Sequence, residues 1–277
     1  MASATGIPER QPNELNRAAE TQPLLGEPGD VTQRPHESIF KNLISGTAWL
    51  AQVGALLLLI LVWAAVLSHP PLIPLFSPHP LLQSLGILLV IQAILILQPT
   101  HAESPTSKAT GARLHATLNA LSFTVLLAGV AIIEANKFSQ GPGSHFHSVH
   151  GYLGVITSIV LLLQYIVGLL MWVAPGWLGR HVLRFGSGGS GGSEEEEEED
   201  AEQRGKALWK YHRASGYGVV LVLLLATVVT APDTAFNVNV LGIPTWAVAV
   251  AVALVVVGVY PRLKASKLGL RRAEQGQ

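Results

Sequence analysis

Between residues 44 and 260 the apolar side chains gather into six runs, at about 44–67, 80–98, 114–135, 150–173, 212–231 and 245–260. A helix needs roughly 20 apolar residues to cross a hydrocarbon layer about 30 Å thick. Inside that layer a chain must satisfy its own backbone hydrogen bonds, which leaves helices and closed barrels as the spanning forms. The runs therefore predict an all-α fold, an integral membrane bundle of six transmembrane helices, and a multi-pass protein whose first partner is the lipid bilayer. A composition 49% hydrophobic and 13% charged excludes an ordinary soluble domain, and no nucleic-acid partner is expected. Cysteine is absent, which excludes disulfides, iron–sulfur clusters, thiolate ligation and covalent haem attachment through a C-x-x-C-H motif. Metal chemistry in this chain must rest on histidine or carboxylate.

The formal net charge is zero, but its distribution is lopsided. Arg10, Arg17, Arg34 and Lys41 precede the first run, and Lys108 and Arg113 lie between the second and third. Arg180, Arg184, Arg204, Lys206, Lys210 and Arg213 lie between the fourth and fifth runs or at the start of the fifth. Arg262, Lys264, Lys267, Arg271 and Arg272 follow the sixth, and Lys137 alone falls on the other side. The positive-inside rule then places both termini in the cytoplasm.

Residues 1–40 are polar, without apolar periodicity, and read as a disordered cytoplasmic tail. Within that tail Glu20 to Leu25 fits an acidic di-leucine sorting pattern. The membrane domain is expected over 41–262. It is interrupted at about 185–201 by a Gly/Ser tether and an acid run for which no fixed structure is expected. Residues 263–277 read as a basic cytoplasmic tail.

Four runs share one anomaly, a histidine at or just inside the start: His79, His115, His150 and His212. An ionisable side chain in a span needs compensation, and metal coordination is one form of it. Chain direction sorts the four into His79 and His150 near the outer face and His115 and His212 near the inner one. Two pairs at two depths, each shared between two helices, can clamp two flat macrocycles from both sides. With both axial positions taken by imidazole, a haem iron is an electron carrier. Asn119, one turn after His115, shares its helix face. His36, His69, His101 and His181 read as tail, loop or interfacial residues, and His145 and His147 as loop residues. A transporter or proton relay built on the same histidines would require acidic residues inside the spans, and none is read there. A scaffold without haem is the third alternative.

The motifs Ser77-Pro-His79-Pro, Arg113-Leu-His115, His145-Phe-His-Ser148-Val-His150-Gly151 and Tyr211-His212-Arg213, in this order before spans two to five, resemble the cytochrome b561 family across about residues 40–262. The resemblance implies a transmembrane, ascorbate-dependent oxidoreductase with two non-covalent, bis-His b-type haems in the central four helices. His115 and His212 would hold the inner haem, and His79 and His150 the outer one. Cytoplasmic ascorbate would dock near Lys108, Arg113, Lys206, Lys210 and Arg213. The outer haem would reduce monodehydroascorbate or ferric chelates near Lys137 and His145. Endomembrane, vacuolar or plasma membrane localisation and a homodimer are further expectations of that likeness.

Overall fold

The computed structural model describes residues 33, 37–100, 105–141, 143–181 and 194–263. It is all-helical, and six of its helices are long and apolar enough to cross a membrane. A short 3₁₀ turn, Ile39–Leu43, leads into α1 (Ala48–Leu67), followed by α2 (Pro78–Leu97), α3 (Pro105–Ser139) and α4 (Val149–Val173). A short helix, α5 (Pro175–His181), turns the chain into α6 (Glu194–Ala207). The fifth span continues as α7 (Trp209–Ser215), a π-helical turn at Gly216–Val220 and α8 (Leu221–Thr230). The last span is α9 (Thr245–Val259).

These sequences form helices for visible reasons. Pro78 and Pro80 fall in the first turn of α2, where a missing N–H leaves no hydrogen bond unmade. Ser148 caps α4, its hydroxyl accepting from the Gly151 N–H at 3.2 Å. Most large apolar side chains of α4 point outward: Ile156, Ile159, Leu163 and Leu169 are all exposed. A helix so apolar and so little buried by its neighbours is built for lipid on that face.

α1 and α9 pack closely, because small residues let their two backbones meet. A methyl group at Gly258 would lie 2.3 Å from the Ala51 nitrogen, and one at Gly54 would lie 2.5 Å from the Ala251 carbonyl oxygen. Small residues at such crossings let helices associate in lipid, where burial supplies little drive. A branched side chain in that seam forces the helices apart, and overpacking of this kind costs about 1–3 kcal/mol. Gly258→Val is accordingly expected to lower the melting temperature in detergent by several degrees, as read by circular dichroism; an unchanged melt would mean that the seam is looser than described. Gln52 and Gln92 add a reciprocal amide pair between α1 and α2, at 2.7 and 2.8 Å.

Three expectations from the sequence are corrected here. The third span, expected to start at about residue 114, is helical from Pro105, so α3 begins well before its apolar part. The acid run, expected to lack fixed structure, is helical from Glu194. Carboxylates in a first turn suit the helix dipole, and α6 packs closely on α5, with Gly179 against the Ala201 carbonyl and Gly205 against that of Pro175. The tail is ordered at its end: the Gln33 N–H donates to the Pro99 carbonyl at 3.0 Å. The rest of the tail with its di-leucine pattern, the Gly/Ser tether, the C-terminal tail, His36 and His101 lie outside the described residues.

Candidate functional site

The central spans pair as α2 with α3 and α4 with the fifth span, while α3 and α4 touch only sparsely. Three of the four histidines are hydrogen-bonded within their own helix pair. His79 on α2 donates from Nδ1 to the Gly129 carbonyl of α3 at 2.9 Å. His115 on α3 makes the reciprocal bond, Nδ1 to the Ala93 carbonyl of α2, at 2.8 Å. His150 on α4 donates from Nδ1 to the Thr227 carbonyl of α8 at 2.8 Å. A carbonyl can only accept, so Nδ1 must carry the proton and the lone pair lies on Nε2.

His212 differs. Its Nδ1 is buried without a partner among the described residues. The ring is held by shape instead: a methyl group at Gly168 of α4 would lie 2.8 Å from His212 Cε1. The backbone beside it is pinned, with Gln164 Nε2 donating to the His212 carbonyl at 2.7 Å and Ser215 Oγ donating to Gln164 Oε1 at 2.8 Å. The π-helical turn that follows, Gly216–Val220, inserts a wide turn between α7 and α8. Such turns recur at functional sites.

Across the gap, the His79 and His150 rings stand 6.4 Å apart between centroids, at 78° to one another. His212 lies close enough to His115 for their charges to interact. His79 is thus near His150 across the gap between the two helix pairs. Asn119 also sits as expected, Nδ2 donating to the His115 carbonyl at 2.8 Å and reaching Nε2 at 3.2 Å. Between the two levels Phe123 of α3 and Tyr165 of α4 stack with centroids 4.4 Å apart.

The expected charged residues divide into two groups. Lys108, Arg113, Lys206 and Lys210 lie toward the surface, Lys206 paired with Glu202 and Lys210 lying 4.9 Å over the Tyr211 ring. Arg213 is half-buried and faces His115. At the opposite end Lys137 lies near the start of α4, Nζ being 3.9 Å from where a Gly151 side chain would begin, and its charge reaches both His79 and His150. His145 bonds through Nε2 to Glu134 Oε2 at 2.9 Å. The absence of acidic residues from the spans is thus corrected: Glu134 lies within α3, near its C-terminal end. Gly141 and Gly143, at φ of 91° and 90°, make the turn that brings His145 back to it. His147 bonds the Gly143 carbonyl instead, and His69 and His181 bond carbonyls of their own helices, Ala65 and Trp177.

Residues 78–183 match the family model of eukaryotic cytochrome b561. That family moves electrons across membranes by means of b-type haem. The cytochrome b561 match runs from the first turn of α2 past the end of α5, and so contains His79, His115 and His150. His212 lies beyond the matched segment; its link to the others is spatial. No curated protein and no solved structure matches the chain.

Proposed function

We propose that the protein carries single electrons across its membrane, from ascorbate on the basic face to monodehydroascorbate or a ferric chelate on the other, by way of two b-type haems. His115 and His212 would hold the inner haem and His79 and His150 the outer one. The observation that carries this reading is the spacing of the outer pair. An iron between two imidazoles sets their centroids about 6 Å apart, since each metal–nitrogen bond is about 2.1 Å and each ring adds its radius. The 6.4 Å between His79 and His150 suits such a group, and so does the donor set, imidazoles whose Nδ1 is held by a carbonyl so that Nε2 is presented. Haem with both axial positions filled supplies one-electron transfer rather than oxygen chemistry.

The chain's own residues then have definite tasks. The carbonyls of Gly129, Ala93 and Thr227 fix the ring orientations of His79, His115 and His150. Asn119 covers Nε2 of His115 and must swing aside for that nitrogen to coordinate. Lys108, Arg113, Lys206, Lys210 and Arg213 raise the local concentration of an anionic reductant at the cytoplasmic mouth. Lys137, beside His79 and His150, draws an anionic acceptor to the outer one. His145 holds a proton at Nε2 against Glu134, within reach of an acceptor that takes up a proton with its electron.

The test uses sealed vesicles with a ferric chelate trapped inside and ascorbate added outside. Stopped-flow spectra should show haem reduction followed by ferrous chelate in the lumen. Haem reduction with no trapped chelate reduced would contradict transmembrane transfer.

A further inference from the structure

Where the inner ends of α1, α2 and α9 meet, Arg262 is 3% exposed. Its Nη2 donates to the Asn42 carbonyl at 2.8 Å and makes a long contact with that of Leu95 at 3.5 Å. Nε and Nη1 are buried with no partner among the described residues. The ion pairs among those residues include Lys41–Glu37, His145–Glu134, Arg180–Glu198 and Lys206–Glu202, and none of these reaches Arg262. Removing a guanidinium from water without an anion is severely unfavourable. Native interiors do not leave buried donors of a charged group open without reason.

Several polar groups of the surrounding seam are matched. Asn42 donates from Nδ2 to the Ile96 carbonyl at 2.9 Å, Thr47 bonds the Gly258 carbonyl at 3.0 Å, and Tyr260 donates from its hydroxyl to the Tyr217 carbonyl at 2.7 Å. The charge of Arg262 reaches Tyr217, that of Arg213 reaches Tyr217 as well, and Arg213 in turn faces His115. The charges of both arginines thus act on one tyrosine, whose carbonyl is bonded by Tyr260 at the end of α9. We propose that Arg262, backed by Arg213 and Tyr217, is a receptor for one anionic oxygen group, a carboxylate or a phosphate, that enters the bundle from the inner side. Two sources present that chemistry there: a propionate of the inner haem and the headgroup of an anionic phospholipid. The first rests on the two-haem reading above, whereas the second does not.

Arg262→Gln and Arg262→Lys separate the sources. If a propionate is the anion, Arg262→Gln should lower the midpoint potential of the inner centre and weaken its haem retention several-fold, because a positive charge favours the reduced state. Arg262→Lys should restore most of both. The unchanged spectrum of the outer centre reports that the variant is folded. Once the apo-proteins are reconstituted with haem dimethyl ester, which has no propionate charge, the unmodified chain and the Arg262→Gln variant should no longer differ. If a lipid is the anion, native mass spectrometry should show a phosphatidylserine or phosphatidylinositol adduct on the unmodified protein that Arg262→Gln loses, with both haem centres unaltered. Folded Arg262→Gln protein with unchanged inner potential, unchanged retention and the same lipid adducts would overturn the proposal. A chain that binds no haem at all would remove the functional reading, and loss or persistence of the lipid adduct in Arg262→Gln would then decide the proposal by itself.

Discussion

His150→Ala protein, purified in detergent, is expected to hold one haem per chain where the unmodified protein should hold two, and ascorbate should still reduce the one that remains. His150 is one jaw of the outer pair, its ring 6.4 Å from that of His79, and alanine leaves one axial position with no protein nitrogen. The inner level is anchored by other groups: His115 is held by Ala93, and His212 rests on Gly168. The anchors are also far apart. His115 and Gly129, the residue that holds His79, are separated by about 20 Å along α3 at about 1.5 Å per residue. Loss of trapped-chelate reduction should accompany loss of the outer haem, since the proposed docking residues would feed a pathway with no exit. Haem content by pyridine haemochrome and single-turnover ascorbate reduction together check this. Disappearance of both haems from a folded protein would contradict two independent pairs.

Gly168→Val should do the reverse, emptying the inner level and sparing the outer. A Cβ at this position would lie 2.8 Å from His212 Cε1 and 3.4 Å from Nε2, the first of these closer than two such atoms normally approach. The ring cannot step aside cheaply. The His212 carbonyl is held by Gln164, and the same glutamine accepts from Ser215. Nor does a hydrogen bond at Nδ1 guide the ring back, since that nitrogen has no partner among the described residues. The expected result is loss of ascorbate-reducible haem by roughly tenfold or more, the scale on which disturbed ligand support weakens a metal site, with the outer centre still reducible by dithionite. Gly168→Ala should fall between. An inner centre that tolerates valine would show that His212 is not held against α4 as described.

The sequence made the spans legible because length and apolarity alone decide what crosses a bilayer. It also singled out the four histidines, since an imidazole in a span is unusual enough to ask for a ligand. What holds those imidazoles was not legible. The acceptors for His79, His115 and His150 are the carbonyls of Gly129, Ala93 and Thr227, backbone atoms that any residue would supply. Gly168 carries no mark in a helix that also contains Gly151 and Gly154. Glu134 stands in the sequence inside the 114–135 run, whereas its pairing with His145 was not legible, because the turn through Gly141 and Gly143 is needed to bring that histidine back. The polar opening of α3 carries no apolar stripe that would mark it as helix, although Pro105 suits a first turn. Arg262 looked like one more cytoplasmic cation, and only packing shows that it is buried.

The central claim is that four imidazoles grip two haems, and haem stoichiometry of the purified, unmodified protein tests it most directly. The account predicts a red preparation with a b-type reduced-minus-oxidised spectrum and two haems per chain by pyridine haemochrome. A folded, colourless protein that takes up no haem on reconstitution would contradict it.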